Sequence, residues 1–316
     1  VRLDDAAAAL EAAGLKVRRD VPLARRGWWR VGGPADLWAE PADAAELQAC
    51  MTIAARHDLP VSVLGNGSNL LVADAGIRGL TLKLMGRLRD SAVEGPAHAP
   101  VLVAGGGLMN TVLLNRLDKA GLHGLGCLAG VPGTLGGAIR MNAGTHLGEI
   151  GDRVVSVELV LPGGQLRQVP AADLGFRYRR ADLPDGAVVS RAWIRVSREG
   201  LEAARAAVRH HLERRKATQP LDQPSCGSTF KNPPGDAAGR LIDAVGLKGH
   251  RIGGACISEK HANFFLNTGG ATAAELRALI LHARDTVYRH TGVVLEPEVH
   301  AVGDWPPGSW PLPAPD

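Results

Sequence analysis

A chain of 316 residues, 45% hydrophobic and 22% charged, has the apolar content to bury a large core, which excludes intrinsic disorder. Its length exceeds one typical domain and suggests two or three. The net charge is only +4, and 29 of the 36 basic residues are arginines scattered along the chain; this argues against a nucleic-acid reader and is compatible with an anionic ligand such as a nucleotide.

No apolar run approaches the roughly 20 residues of a membrane helix, and Val1-Arg2-Leu3-Asp4-Asp5 is not signal-like. The expectation is a soluble protein with no membrane insertion. Cys50, Cys127, Cys226 and Cys256 lie far apart with no C-x-x-C pair. That suggests neither a metal site nor a disulfide framework, and makes a reducing cytoplasm the default. Cys127 and Cys226, beside glycine-rich segments, read as small packing residues.

The predicted elements begin with a helix from Asp4 to Ala13, ended by Gly14. A second helix runs from about Ala44 to His57, with cap-and-reach-back spacing at Asp43 and Glu46 and a stop at Pro60. A β-branched run, Val61 to Leu64, breaks at Gly65-Asn66-Gly67-Ser68-Asn69, and Leu70-Leu71-Val72 resumes an extended pattern. Short strands follow at 80–84 and 101–104, then a helix through Leu113 and Leu117 that ends near Gly121. Nine glycines fall in the 28 residues from Gly124 to Gly151. Strands return at 154–161 and 187–196. Residues 201–216 read as a charged amphipathic helix. A long helix runs from Ala273 to Tyr288 with a capping box at Thr272 and Glu275. Five prolines between Trp305 and Asp316 suggest an extended, poorly packed end. The whole reads as α+β, divided into 1–82, 83–200, 201–304 and a proline-rich tail, 305–316.

Two segments are rich in glycine. Gly65 to Leu70 offers close backbone approach with Asn and Ser as neutral donors, although for this hexapeptide alone a plain hairpin or crossover loop is the better reading. Leu128 to Gly144 is the second. Neither the G-x-G-x-x-G spacing nor a Gly-Lys-Ser/Thr pattern occurs in it. Two such loops together point to an extended, dinucleotide-like ligand gripped from two sides. Gly227-Ser228-Thr229-Phe230-Lys231-Asn232-Pro233 lacks the setting of a hydrolase nucleophile, which leaves Ser228 as a turn residue or a proton donor. Phe176 to Arg180, Lys260 to Phe264 and Leu295 to Val299 are uninformative one by one.

Taken in order, these segments resemble the UDP-N-acetylmuramate dehydrogenases, also called UDP-N-acetylenolpyruvoylglucosamine reductases. The resemblance begins at Trp29-Arg30-Val31-Gly32-Gly33-Pro34 and continues through both glycine loops and Tyr178-Arg179. It then takes in Arg214-Arg215 to Gln219-Pro220, Gly227 to Pro233, Lys260 to Phe264 and Glu296 to Val299, spanning about residues 20–300. It implies two FAD-binding subdomains of the vanillyl-alcohol-oxidase type and a smaller α+β substrate domain. It also implies that Arg30, Gly65, Asn66, Gly67, Ser68, Asn69, Leu70, Pro132, Gly133, Thr134, Gly137, Asn142, Ala143 and Gly144 hold FAD. Ser228 would be the proton donor, flanked by Arg179 and Glu298. Tyr178, Lys231, Asn232 and His261 would contact a UDP-sugar, with NADPH as co-substrate and the chain a monomer. Arg179 and Ser228 are 49 positions apart with no tyrosine between them, which fits the subclass without the tyrosine-bearing insert. Ala181 and His300 depart from the family's usual Ser and Arg, affecting substrate anchoring rather than the reaction.

The chemistry such a family performs makes sense of these residue types. Reducing an enolpyruvyl ether adds hydride to the β-carbon, develops enolate charge on a carboxylate, and needs a proton at the α-carbon. A permanently charged, forked arginine suits the carboxylate. Serine is a weak acid, but an enolate is a strong base. Glu298 beside the carboxylate would have to be protonated or paired with Arg179, because adjacent negative charges oppose the transition state. Two competing expectations are another flavoprotein oxidase or dehydrogenase of the same fold, which would not need this trio, and a non-catalytic nucleotide-binding module, which would be inert towards NADPH.

Overall fold

The computed structural model describes residues 3–310 and 312. They form two compact units. The first comprises the residues up to Arg19, Asp36–Asn66 and Gly79–Arg214; the second comprises Asp20–Ala35, Gly67–Arg78 and the residues from Arg215 onward.

The first unit mixes helices with two sheets. One sheet has the strand order Val17–Pro22, Pro34–Ala39, Ile77–Leu82, Val61–Val63, the last two running parallel. Helices Leu3–Ala12 and Ala44–Arg56 contribute Leu10, Leu47 and Met51 to its core, together with Leu37, Leu80 and Leu82. The Asp43 cap forms as the spacing predicts, its carboxylate accepting the Glu46 N–H at 3.0 Å. Glu46 reaches back one residue further, to the Ala42 N–H at 2.8 Å. The second sheet is antiparallel, in the order Leu166–Pro170, Val154–Val160, Val188–Arg195, Val101–Gly105, Ser91–Glu94. Its inner face packs on helix Asn110–Lys119 and on the glycine-rich stretch, through Leu113, Leu117, Leu128, Leu135, Val157 and Ile194.

The second unit is built around helix Ala273–Thr291, whose Thr272–Glu275 capping box is present as expected. Asp74, far away in sequence, accepts the Ala273 and Ala274 N–H groups at 2.8 and 2.9 Å; a carboxylate there satisfies donors that a helix start leaves unpaired. An antiparallel sheet, Arg251–Ile252, Ala255–Ile257, Phe265–Asn267, lies against this helix. His300–Val302 pairs in parallel with Leu70–Val72. Trp29 is fully buried; its indole N–H donates to Phe265 O at 2.7 Å, and Asn267 Nδ2 donates to Trp29 O at 2.8 Å.

The tail corrects the expectation of a poorly packed end. Trp305 and Leu312 pack against the core of the second unit, the Trp305 indole donates to Val302 O at 3.1 Å, and Arg277 Nε donates to Ser309 O at 2.8 Å. Prolines set an extended backbone, but the tryptophan before them and the leucine among them still gain from burial. Residue 311 and residues 313–316, which belong to the same expectation, lie outside the described residues.

Candidate active site

In the first unit the two glycine-rich loops meet. Gly65 lies against Thr134, so closely that a Cβ at Gly65 would fall 2.6 Å from Thr134 Oγ1; only glycine permits this approach. Thr134 is buried and stands at the start of the short helix Leu135–Arg140. Asn110 braces the same loop, its N–H donating to Gly133 O at 3.0 Å and its Nδ2 to Val131 O at 3.2 Å. Pro132 and Gly133 are half-buried and Gly137 is exposed. This close-packed backbone, with Asn66 next to it, fits an anionic diphosphate held by neutral donors. The donor set therefore fits FAD. The other half of the Gly65–Leu70 segment lies in the second unit. There Gly67 takes φ +61°, its carbonyl accepts the Trp28 N–H at 3.0 Å, and Asn69 Nδ2 donates to Glu298 O at 3.0 Å.

Arg30, with φ +57°, lines a cavity of about 530 Å³ in the second unit together with Gln223, Asn267, Thr268 and Gly270. Among the described residues five non-glycine positions have such left-handed φ, and three of them, Arg30, Asn142 and Arg179, were picked out from the sequence. Backbone strain of this kind persists where surrounding bonds over-determine it, and it concentrates at functional sites.

Asn142 shows how this strain is held. It is buried, at φ +40°. Its Nδ2 donates to Glu149 Oε2 at 2.6 Å and to Arg177 O at 3.0 Å, while its Oδ1 accepts the Gly151 N–H at 2.9 Å. Gly151 is required because a Cβ there would stand 2.8 Å from Asn142 Oδ1. Ala143 and Gly144 follow, both buried, with Gly144 pairing Glu149 in a two-residue ladder. Arg179 sits in a tight turn closed by reciprocal bonds between Arg177 and Arg180, each 2.9 Å. Its guanidinium lies 4.8 Å from the Tyr178 ring centroid and 4.0 Å from Glu149 Oε1. The Arg179 side chain is only 17% exposed, whereas Tyr178 is largely exposed. Nearby, Arg140 donates to Ala187 O at 2.6 Å.

Ser228 and Glu298 lie together in the second unit. Ser228 bridges Phe264 in antiparallel fashion, and Phe230 bridges Pro297. The Glu298 N–H donates to Thr229 O at 2.8 Å, the Lys231 N–H to Glu296 O at 2.8 Å, and the Thr229 N–H to Asn263 O at 2.8 Å. Asn263, buried, closes the arrangement: its Oδ1 accepts the Phe230 N–H at 2.9 Å and its Nδ2 donates to Phe230 O at 2.8 Å. Both Ser228 and Glu298 are half-buried.

Of the sequence-derived substrate contacts in this unit, Lys231 pairs with Glu296. Asn232 Oδ1 accepts the Ala238 N–H at 3.0 Å, close to the start of helix Ala238–Ala244. His261 stacks edge-on against Phe264 at 4.8 Å, and its Nδ1 accepts the Asn263 N–H at 3.3 Å. Burial lowers the His261 pKa, as does Lys248. Cys226 lies under the Gly67–Leu70 segment, its thiol pushed up to about 12 by burial. Cys127 is likewise raised to about 11, so both are inert packing residues. Sequence reasoning missed Glu149 and Asn263. Glu149 had one local signal, its spacing to Asp152, which forms a reciprocal cap.

Loops of this kind on an α+β scaffold define a flavin-binding oxidoreductase, and comparisons narrow the class. A family profile described as an FAD binding domain matches residues 35–169. Another, described as the C-terminal domain of UDP-N-acetylenolpyruvoylglucosamine reductase, matches residues 219–302. The reductase of that name from Anaeromyxobacter dehalogenans strain 2CP-C is 50% identical over 289 residues, covering 92% of this chain and 86% of the relative. The Moorella thermoacetica reductase is 43% identical over 290 residues, covering 92% and 94%. The crystal structure of the Thermus caldophilus reductase superposes with a TM-score of 0.79 at 36% identity, covering 91% of this chain and 99% of that one. The chain belongs to the UDP-N-acetylenolpyruvoylglucosamine reductase family.

Proposed function

We propose that Ser228, Arg179 and Glu298 carry the reduction of UDP-N-acetylglucosamine enolpyruvate to UDP-N-acetylmuramate, a step of peptidoglycan precursor synthesis, with FAD as cofactor and NADPH as reductant. When bound, FAD would supply the hydride chemistry that links NADPH to the β-carbon of the enolpyruvyl group. Arg179 binds the substrate carboxylate and offsets the enolate charge, a contribution of roughly 10²-fold or more. The Ser228 hydroxyl gives its proton to the α-carbon and regains one from water, also worth roughly 10²-fold or more. Glu298 orients the same region. Tyr178, Lys231, Asn232 and His261 bind the nucleotide sugar.

The observation that supports this reading most is the pairing of Ser228 and Glu298 segments by backbone bonds through Thr229. A backbone held in that way carries the serine to its place at little further cost in chain ordering. The flavin would be held by Arg30, by the Gly65–Leu70 segment and by Pro132, Gly133, Thr134, Gly137, Asn142, Ala143 and Gly144. Three functional parts follow in this reading: FAD-binding subdomains of the vanillyl-alcohol-oxidase type at 1–82 and 83–200, and a substrate domain at 201–304. Separate apolar clusters within the first unit support the first division. Among the described residues no helix is long and apolar enough to cross a membrane. NADPH and a nucleotide sugar are cytoplasmic metabolites, and we place the protein there as a monomer.

The test splits the two half-reactions. Purified protein should be yellow and NADPH should bleach it without the sugar nucleotide. Adding the enolpyruvyl substrate should then restore the colour. A protein that bleaches but is not reoxidised by this substrate would sink the assignment.

A further inference from the structure

We infer that Glu149 is a positioning residue for the reduction: with Asn142 it aims the Arg179 guanidinium. This rests on the role proposed above for Arg179. The two oxygens of Glu149 have different partners. Oε2 accepts from Asn142 Nδ2 at 2.6 Å, and Oε1 faces Arg179 Nη1 at 4.0 Å. The backbone of Glu149 is fixed as well, its N–H donating to Asp152 Oδ2 at 3.0 Å within a reciprocal cap. Asn142 in turn holds the Arg177 carbonyl, two residues before Arg179, so one buried amide fixes both the turn that carries the guanidinium and the carboxylate facing it. The guanidinium is covered on another side by the Tyr178 ring.

The 4.0 Å separation matters. A bidentate pair at hydrogen-bond distance would bind the guanidinium fork to Glu149 itself, in competition with a substrate carboxylate. A charge contact at 4.0 Å, between side chains 17% and 31% exposed, biases the orientation without taking up the fork. It holds a long, rotamer-rich side chain in place before substrate arrives, which lowers the ordering cost of binding a carboxylate. Nothing in the local sequence around Glu149 carries this role; the fold supplies it by bringing 142–151 and 177–180 together.

The experiment compares E149Q, E149D, R179K and the E149Q/R179K double variant in separated half-reactions, with flavin content and melting temperature recorded for each. Glutamine keeps the shape and can still accept from Asn142, but it removes the charge. Expected for E149Q are bleaching by NADPH within about twofold of the parent, reoxidation by the enolpyruvyl substrate slowed about tenfold, and flavin content unchanged. E149D should recover part of the loss, since it restores the charge. In the R179K background, E149Q should cost less than about twofold more, because the two residues act as one unit. The inference is overturned if E149Q reoxidises at the parental rate, if both half-reactions slow equally, or if the two effects multiply. If R179K itself reoxidises at the parental rate, the role of Arg179 fails and this inference with it. If R179K is slow and E149Q is not, only the inference fails. Should E149Q not fold, E149D read against R179K decides the same question.

Discussion

Arg179 and the Ser228–Glu298 pair are built by different means. In the first unit the arginine turn is closed by the main-chain bonds between Arg177 and Arg180, but side chains tie it to its surroundings: Asn142 bonds the Arg177 carbonyl and Glu149, and Glu149 faces Arg179, on a backbone that is left-handed at both Asn142 and Arg179. In the second unit Ser228 and Glu298 ride on extended segments that are joined to each other by main-chain bonds and braced by the Asn263 and Asn69 side chains. The difference teaches where each part is vulnerable. A main-chain ladder keeps its geometry whatever side chain it carries, so chemistry can be removed from it without loosening it. A side-chain bracket cannot be trimmed without releasing the segments it joins.

Ser228→Ala is the sharpest test of that contrast. Reoxidation by substrate should fall about 10²- to 10⁴-fold with melting temperature and NADPH bleaching unchanged; a large loss of stability would show that the hydroxyl is structural. Asn142→Ala should do the reverse. Three hydrogen bonds are lost and a left-handed φ is given to alanine, so about 3–4 kcal/mol of stability should go, read as a lower urea midpoint. An unchanged midpoint would break the description of Asn142 as a bracket.

Gly65→Ala probes the close approach of the two glycine loops. Overpacking against Thr134 should weaken flavin retention about tenfold, and adding Thr134→Ala should return part of it. If the single variant holds flavin normally, the contact is not one the flavin depends on. Asn69→Ala removes the side-chain bond to Glu298 O and should cost only about 1 kcal/mol, with reoxidation slowed severalfold at most, because the Glu298 N–H bond to Thr229 O remains.

A separate effect touches both units alike. Burial raises the thiols of Cys50 and Cys226 to about 12 and that of Cys127 to about 11, against an ordinary value of 9.0. The folded state keeps these thiols protonated where the unfolded chain ionises. Their contribution to stability is therefore complete below pH 9 and declines as pH rises towards 11–12. Urea midpoints should fall between pH 8 and pH 10.5, and iodoacetamide at pH 8 should leave the native thiols unmodified. Rapid labelling at that pH would contradict their burial.

Much of the fold was legible because its signals are local. The Asp43 and Thr272 caps act over three residues, and the strands 154–160 and 188–195 announce themselves by β-branched runs. The site was legible in its residue types and order, since glycine loops and the Ser228 and Arg179 segments stand out even without geometry. The Asn142 bracket was not, because its partners lie 7, 9 and 35 positions away. The tail misled because five prolines advertise extension while saying nothing about where Trp305 packs.

The sequence by itself determined the α+β composition, the capped helix starts at Ala44 and Ala273, the two glycine-rich loops and the family to which the chain belongs, since each rests on near-neighbour chemistry or on the order of motifs. Only the tertiary structure decided that residues 20–35 and 67–78 join the C-terminal unit, that Asp74 caps a helix 199 positions further on, and that Glu149 faces Arg179. Those contacts close long loops, and the free energy that selects them comes from burying Trp29 and satisfying polar groups within a packed unit, which no short window of residues contains.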